Sequence, residues 1–267
     1  MLLRRFMQHV KEQNWFAVGL DVIVVIVGIF LGMQVTEWNE ARKESIQEDE
    51  YLELLLRDIN SVTDDFKLQA KIEGQFVDAS MRAVDMFSQG LPKTERYLFS
   101  RLVTIVSTRR TVRIEKVAFD ELQNSGRLRV IQDNHLRESI ISFFEDVERR
   151  ALIIEKNSMA TVDNGIRSIA ASVGIEPINW SNDMDSDLRL EFESDALVNS
   201  FTKLNNLADP FNNPVFDKPL DDELWGELKS HIMWRARGAI SNQFFSDEVV
   251  KKAESLKQLI IEYQDEK

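Results

Sequence analysis

The chain has 267 residues, with 33 Lys and Arg against 45 Asp and Glu, a formal net charge of −12 and no Cys. The acidic balance argues against nucleic-acid binding, because phosphate contacts need a basic surface. The lack of Cys excludes disulfides, iron–sulfur clusters and cysteine-rich zinc sites. With 43% hydrophobic residues, 10 Gly and 5 Pro, the composition is typical of a folded, helix-rich protein and not of a disordered or all-β one.

Residues 1–14 have the pattern of a short amphipathic surface helix. The apolar residues that follow helical spacing are Leu2, Leu3, Phe6, Met7 and Val10, and the basic residues Arg4, Arg5 and Lys11 lie largely elsewhere on the helix. We expect this segment to be a cytoplasmic tail.

Residues 15–38 have the pattern of a membrane anchor. Residues 22–33 read VIVVIVGIFLGM, and the 21 residues from 15 to 35 carry one formal charge, that of Asp21. Twenty-one helical residues extend roughly 30 Å, which is the thickness of a bilayer core. Trp15 and Trp38 flank the segment at the positions of an aromatic belt. A cleaved signal peptide is the alternative, but no A-x-A-like site follows, so we expect an uncleaved anchor.

The charges around the anchor predict its orientation. Three Lys or Arg residues precede the span and two follow it closely, at Arg42 and Lys43. The tail carries a net charge of +2. Because the whole chain carries −12, the rest of the chain carries −14. We therefore expect a single-pass protein of the bacterial inner membrane with a cytoplasmic N-terminus and a periplasmic body, residues 39–267. With a tail of 14 residues, we expect no cytoplasmic output domain.

One stripe of the span has the features of a helix–helix contact. Gly28 and Gly32 form a G-x-x-x-G pair, which lets two helices approach closely. Asp21 and Val25 fall on the same stripe by helical spacing, and a carboxyl within a span usually faces a partner or water. The alternatives are that the glycines occur by chance and that Asp21 stays hydrated near the headgroups. We expect association with a second copy or with another membrane protein.

The chain downstream of the span predicts one long helix that ends near 90–92. Its apolar residues Leu52, Leu55, Ile59, Val62 and Phe66 step by three and four, as in a heptad seam. Gly74 is a candidate break. The seam either forms a coiled coil between chains or packs against later helices of the same chain.

Several shorter patterns predict the rest of the body. We expect a short helix over 117–125 with Gly126 as its C-terminal cap, a helix capped by Asp133 that runs to about Val173, and a last long helix from Asp221. The apolar stripe of the last helix is expected to comprise Trp225, Leu228, Ile232, Ala236, Ile240, Phe244, Val250, Leu256, Ile260 and Tyr263. The predicted fold is all-α: a transmembrane helix that continues into a long helix, followed by an up-and-down helical bundle.

No motif announces a reaction or a cofactor. The three histidines, His9, His135 and His231, lack metal-ligand spacing, and the nucleophile and phosphate-loop motifs are absent. Asp183, Asp185 and Asp187 have the first spacings of a calcium loop, but Leu188 and Ser194 replace the required Gly and Glu. A solvated loop is the simpler interpretation, so we expect no metal and no cofactor.

A basic cluster in the middle of the chain has two interpretations. Its members are Arg109, Arg110, Arg113 and Lys116. They could contact anionic headgroups, cell-wall polymer or an acidic partner. Alternatively they pair with acidic residues of their own chain.

Two segments resemble an uncharacterised family of bacterial single-pass membrane proteins, that of domain of unknown function 6090. The first segment contains the tripeptide at 13–15, Asp21, the V-G-x-x-x-G core at 27–32 and the tripeptide Trp38-Asn39-Glu40. The second is FDELQNSGRLRVIQD at 119–133, followed by Leu136 and the pair Phe143-Phe144, where members of the family often have tyrosines. The resemblance implies a membrane-anchored helical body and supplies no activity, cofactor or catalytic residue.

These observations favour a non-enzymatic protein that acts by association in the lipid bilayer, as a scaffold or an accessory subunit. The alternative from a different class is a ligand-binding sensor whose bundle signals through a membrane partner. An enzyme would need a polar, convergent pocket that the motifs do not indicate.

Overall fold

A computed structural model describes residues 15–175 and 214–267. Every regular element in these residues is helical, which confirms the all-α prediction. The helices are α1 (Trp15–Ser88), α2 (Arg96–Val106), α3 (Val117–Asn124), α4 (Asn134–Ser158), α5 (Arg167–Ser172) and α6 (Glu223–Asp265). Short 3-10 turns occupy Lys93–Glu95, Arg127–Val130 and Pro214–Asp217, and a wide-turn π-helical segment, Met159–Ile166, joins α4 to α5.

Helix α1 is unbroken over 74 residues, which is on the order of 110 Å. Gly74 does not break it; a Cβ placed there would lie 3.6 Å from Nε2 of Gln243 on α6, an ordinary contact. The helix ends as the sequence predicts, because Gly90 has a φ of +86° and Leu91 a φ of 48°, followed by Pro92. The apolar N-terminal part and the first half of the body therefore share one rigid element.

The heptad seam of α1 packs against its own chain. All five seam residues from Leu52 to Phe66 are fully buried, in a core shared with α3, α4 and the second half of α6. A second core contains the C-terminal part of α1, from Ile72 to Met86, together with α2, the wide-turn segment and the first half of α6. Helices α1 and α6 run antiparallel along the whole body, since Lys67 pairs with Glu254 and Glu73 with Arg235. Intrachain packing, the second interpretation of the seam, is the correct one.

The capping predictions are confirmed at α3 and α4. Gly126 follows α3 with a φ of +69°, a left-handed conformation that favours glycine. The Asp133 carboxylate accepts a hydrogen bond from the Leu136 amide at 2.6 Å and caps α4. The N-terminus of α3 is capped by a distant residue, because buried Asp58 of α1 accepts a hydrogen bond from the Phe119 amide at 3.0 Å.

The predicted apolar stripe of α6 is wrong at two positions. Ile240 and Phe244 are 54% and 58% exposed, whereas Asn242 and Ser246 are fully buried. The buried positions keep a strict spacing of three and four through Ala239, and the polar residues fall on that spacing. Helical spacing, and not side-chain hydrophobicity, therefore decides which of these positions are buried. The buried polar groups are tolerated because polar partners satisfy them.

Residues 39–267 are expected to lie outside the membrane, but the packed part, called the body from here on, begins at Glu48, ten residues beyond Trp38. Glu48 is fully buried, and its Oε1 accepts hydrogen bonds from the Gln132 amide at 2.7 Å and the Tyr263 hydroxyl at 2.9 Å. Its Oε2 lies 2.6 Å from Nζ of Lys267. These contacts join α1 to the end of α6 at the base of the body, and the stretch of α1 from 39 to 47 projects below it.

Candidate functional site

The N-terminal part of α1 is an apolar helix that none of the described residues of the body covers. Its most apolar 18 residues have a mean hydropathy of 2.4, and none of them is buried. Among the described residues, α1 is the one helix that is long and apolar enough to cross a membrane. Val24 and Ile29, for example, are each 61% exposed. An apolar surface of this extent in water would be a strong association or aggregation site. The helix therefore needs lipid or a partner around it.

The predicted association stripe lies on this open helix. Asp21, Val25, Gly28 and Gly32 recur every three or four residues on continuous helix, so they share one face. A Cβ placed at either glycine would meet no atom within 4 Å. Packing among the described residues therefore does not require these glycines, and within that part of the chain the face is open to another helix.

The basic cluster binds acidic residues of its own chain. The recorded contacts are Arg109 with Glu155 at 2.7 Å and Asp163 at 2.9 Å, Arg110 with Asp65, and Lys116 with Asp120 at 2.6 Å and Glu148 at 2.7 Å. Burial lowers the pKa of Lys116, but its two carboxylate partners outweigh burial and raise the pKa above the ordinary value. The cluster thus joins the 107–116 connector to α1, α3, α4 and the wide-turn segment. Contact with an external anion stays a prediction, and Arg113, whose side chain is 79% exposed, is its most accessible member.

The acidic triplet Asp183, Asp185 and Asp187 lies outside the described residues. Within residues 15–175 and 214–267, no group of three or more His, Asp or Glu side chains could hold a metal ion. His231 lies beside Gly165 of the wide-turn segment and next to Trp234, with its ring 6.2 Å from that indole. Its neighbours are those of a packed side chain and not of a metal ligand.

The sequence interpretation missed a buried polar layer, which we define as Gln69, Glu73, Ser158, Arg235 and Asn242. At its centre, Nη1 of Arg235 lies 3.2 Å from Oε2 of Glu73, and the two side chains are 0% and 1% exposed. The guanidinium also donates to the backbone carbonyls of Val106 at 3.2 Å and Thr108 at 3.4 Å. It stacks over the Phe76 ring at 4.2 Å.

Amide groups complete the coordination of the Glu73 carboxylate. Its Oε1 accepts hydrogen bonds from Gln69 at 2.7 Å and from Asn242 at 3.0 Å, and Asn242 also donates to Ser158 at 3.3 Å. Burial raises the pKa of Glu73, while Arg235 and the amide donors oppose the rise. The layer is closed to solvent and fixes the axial register of α1 against α6 and α4, which is a structural role.

A second ionic cluster surrounds Asp146 on α4. This carboxylate, 6% exposed, accepts from Lys252 of α6 at 2.7 Å, from Arg150 at 2.7 Å and from Arg149. Burial alone would raise the pKa of Asp146, but the three cations outweigh it and hold the pKa well below the ordinary value. The cluster joins α4 to α6 in the half of the body nearer to the apolar helix.

An open groove of about 560 Å³ runs between α4 and α6. Its lining residues are His135, Glu138, Ser139, Ser142, Phe143, Lys251, Lys252, Ser255, Leu256 and Leu259. Both lysines have carboxylate partners in their own chain, since Lys251 binds Glu248 at 3.0 Å and Lys252 binds Asp146. The groove has the size of a small-molecule site, with an apolar floor and a polar rim.

No family model matches the chain, and no curated protein and no solved structure matches it either. The resemblance to domain of unknown function 6090 therefore stays a prediction.

Proposed function

We propose that this protein is a non-enzymatic, single-pass membrane protein of the bacterial inner membrane that acts by association, as a scaffold or an accessory subunit. The observation that carries the proposal is the wholly exposed apolar segment of α1, which continues without a break into the body. A core helix of a soluble protein would be covered by its own fold. An anchor in a bilayer would not, because lipid covers it.

The proposed topology places the N-terminus in the cytoplasm and the body in the periplasm. It rests on the three basic residues that precede the span and on the acidic body that follows it. The internal pairing of the basic cluster is consistent with this placement, because Arg109, Arg110 and Lys116 are bound to carboxylates of their own chain and do not hold the body at an anionic leaflet.

The stripe of Asp21, Val25, Gly28 and Gly32 is the proposed association face. The glycines have no packing role among the described residues, so a partner helix is a sufficient reason for their presence in the span. The partner is a second copy or the span of another membrane protein.

A periplasmic ligand-binding sensor is the second candidate. The continuity of α1 favours it, because a rigid helix would transmit movement of the body to the span. The groove between α4 and α6 would be its ligand site. Such a sensor would signal through a membrane partner. Binding of a small molecule, with protection of the groove from hydrogen exchange, would distinguish it from a scaffold.

Fusion reporters test the topology. A C-terminal alkaline phosphatase fusion of the full chain should be active, and the matching green fluorescent protein fusion should be dark. The reverse pattern would refute the proposed placement of the body.

A transmembrane association reporter that carries residues 15–38 tests the stripe. Gly28→Leu and Gly32→Leu should block association sterically, while the matched changes Val24→Leu and Ile29→Leu, which lie off the stripe, should not. Asp21→Asn keeps hydrogen-bonding capacity and Asp21→Leu removes it, so only the second should weaken association, by about 1 kcal/mol. Equal association of the parent and both glycine variants would contradict the proposed face.

A further inference from the structure

We propose that the partner of this face is a second copy of the same chain, and that the two α1 helices stay in contact, parallel and in register, beyond the bilayer as far as Ile46. The proposal rests on the association face described above. It adds the identity of the partner and an extramembrane contact surface below the body.

The stripe does not stop at the end of the span. A spacing of four and three residues continues on unbroken helix through Asp21, Val25, Gly28, Gly32, Val35, Asn39, Arg42 and Ile46. This spacing is the seam of a left-handed two-stranded coiled coil. The seam thus runs from the bilayer into the stretch of α1 that lies below the body.

Ile46 is an exposed apolar residue of this stretch. It is the one large apolar side chain in the stretch from 39 to 47, it is 51% exposed, and it falls on the seam. The body's cores do not include it. An apolar side chain on this charged, solvent-exposed stretch is explained if a neighbouring helix covers it.

The chemistry of Asn39 selects a second copy over an unrelated span. A carboxamide carries both donors and an acceptor, so two copies related by a two-fold axis satisfy each other at one seam position. A single Asn in a coiled-coil core fixes register and favours two strands. A foreign partner would also have to cross the bilayer and continue as a helix for the 14 residues from Gly32 to Ile46, about 21 Å, which α1 does.

The position of the body permits this contact. Ile59 is the central residue of the buried heptad seam from Leu52 to Phe66. It lies 27 residues after Gly32, about seven and a half helical turns, and the half turn places it on the opposite side of α1. The buried face of α1 therefore points away from the glycine face, and two bodies would sit on the outer sides of the paired helices.

Charge sets the upper end of the contact. Arg42 is the one cation on the seam, and its guanidinium lies 6.0 Å from the ring of Trp38, which is not a seam residue, so its charge can lie beside the contact. The next seam positions, Asp49 and Glu53, are two successive carboxylates, and in a parallel pair each would oppose its own copy, which is repulsive. Asp49 is also bound to Lys267 of its own chain at 3.0 Å. The helices should separate above Ile46, so that the two bodies do not touch through α1.

The absence of native Cys makes the test direct. Ile46→Cys is introduced into the full-length protein, and membrane vesicles are oxidised with copper phenanthroline. We expect a disulfide-linked dimer that forms at least about fivefold faster than with Glu44→Cys, since that exposed position lies on the opposite side of α1. Arg57→Cys, exposed but above the charged positions, should also react slowly.

Adding Gly32→Leu to the Ile46→Cys protein should slow its cross-linking to the rate of Glu44→Cys. Equal rates at positions 46 and 44 would overturn the proposal, and so would cross-linking at position 46 that Gly32→Leu does not slow. If the span associates in the reporter while position 46 does not cross-link selectively, the association face survives and the extended contact is wrong. If neither associates, both proposals fail.

Discussion

Replacing Arg235 by Met is expected to destabilise the protein by about 3–5 kcal/mol at neutral pH, because removal of one partner leaves a buried charge uncompensated. The Met side chain approximates the volume of the Arg stem. It leaves the Glu73 carboxylate, which is 1% exposed, with amide donors only, and it removes the donors to the carbonyls of Val106 and Thr108.

The pH dependence of this loss has a definite sign. Burial already raises the pKa of Glu73 above its ordinary value of 4.5, and loss of the Arg235 charge raises it further. The folded variant then binds a proton more tightly than the unfolded chain does, so its stability falls as pH rises from about 4.5 through the raised pKa. The deficit relative to wild type should be smallest below pH 4.5 and largest at neutral pH.

Urea unfolding of the full-length protein in detergent, followed by tryptophan fluorescence, measures the effect, since Trp225 is 2% exposed and reports on the body. Arg237→Met, two residues along the same helix and exposed, is the matched control and should change stability by less than about 0.5 kcal/mol. The double change Glu73→Leu with Arg235→Met should recover part of the loss, because no charge remains buried in the pair. Equal stability of the Arg235 and Arg237 variants at neutral pH, or a deficit that does not shrink in acid, would refute the reasoning.

Four further changes test the packing of the body, each measured by the same unfolding assay. Phe144→Ala should cost about 3–5 kcal/mol, because this fully buried ring stacks on a neighbouring Phe at 4.3 Å. Asp146→Asn should cost about 1.5–3 kcal/mol at neutral pH. Its deficit should shrink as pH falls below about 3.8, because there the unfolded chain takes up a proton that the folded wild type, with its lowered Asp146 pKa, does not, so the wild type loses the same stability. Gly238→Ala would bring a Cβ to 2.9 Å from Cγ2 of Thr161, so it should destabilise by about 1–3 kcal/mol unless Thr161→Ala is added. Gly226→Ala has open space and should stabilise by about 0.5–1 kcal/mol; a loss there as large as at Gly238 would contradict the steric explanation.

Local patterns were sufficient for the elements of the fold. The apolar run at 22–33, the three–four spacing of the seam from Leu52 to Phe66 and the caps at Gly126 and Asp133 each depend on residues within a few turns of one another. Such patterns record which face of a helix avoids water and where its backbone groups need new partners. For that reason the helical class, the long α1 and several of its boundaries were predictable.

The open stripe of the candidate site was predictable for the same reason. Gly28 and Gly32 are neighbours on one helix, so their shared face follows from spacing alone. Their freedom from intrachain contact is a property of the folded molecule, because any later helix of the body could have covered them.

The polar core, in contrast, depends on contacts between residues far apart in sequence. Glu73 and Arg235 are 162 positions apart, and nothing near either residue indicates that it is buried. The sequence interpretation therefore assigned the apolar Ile240 and Phe244 to the buried stripe of α6 in place of Asn242 and Ser246. A buried polar group is tolerated only when a partner satisfies it.

The sequence by itself determined the helices of this protein, the apolar helix and the face that its glycines share. Only the tertiary structure decided that the seam of α1 packs on its own chain, that the basic cluster is internally paired, and which residues of α6 are buried. The physical reason is the separation in sequence between the residues that interact. Helix formation and amphipathicity are set by near neighbours, whereas burial of charge and choice of packing partner are set by groups that only folding brings together.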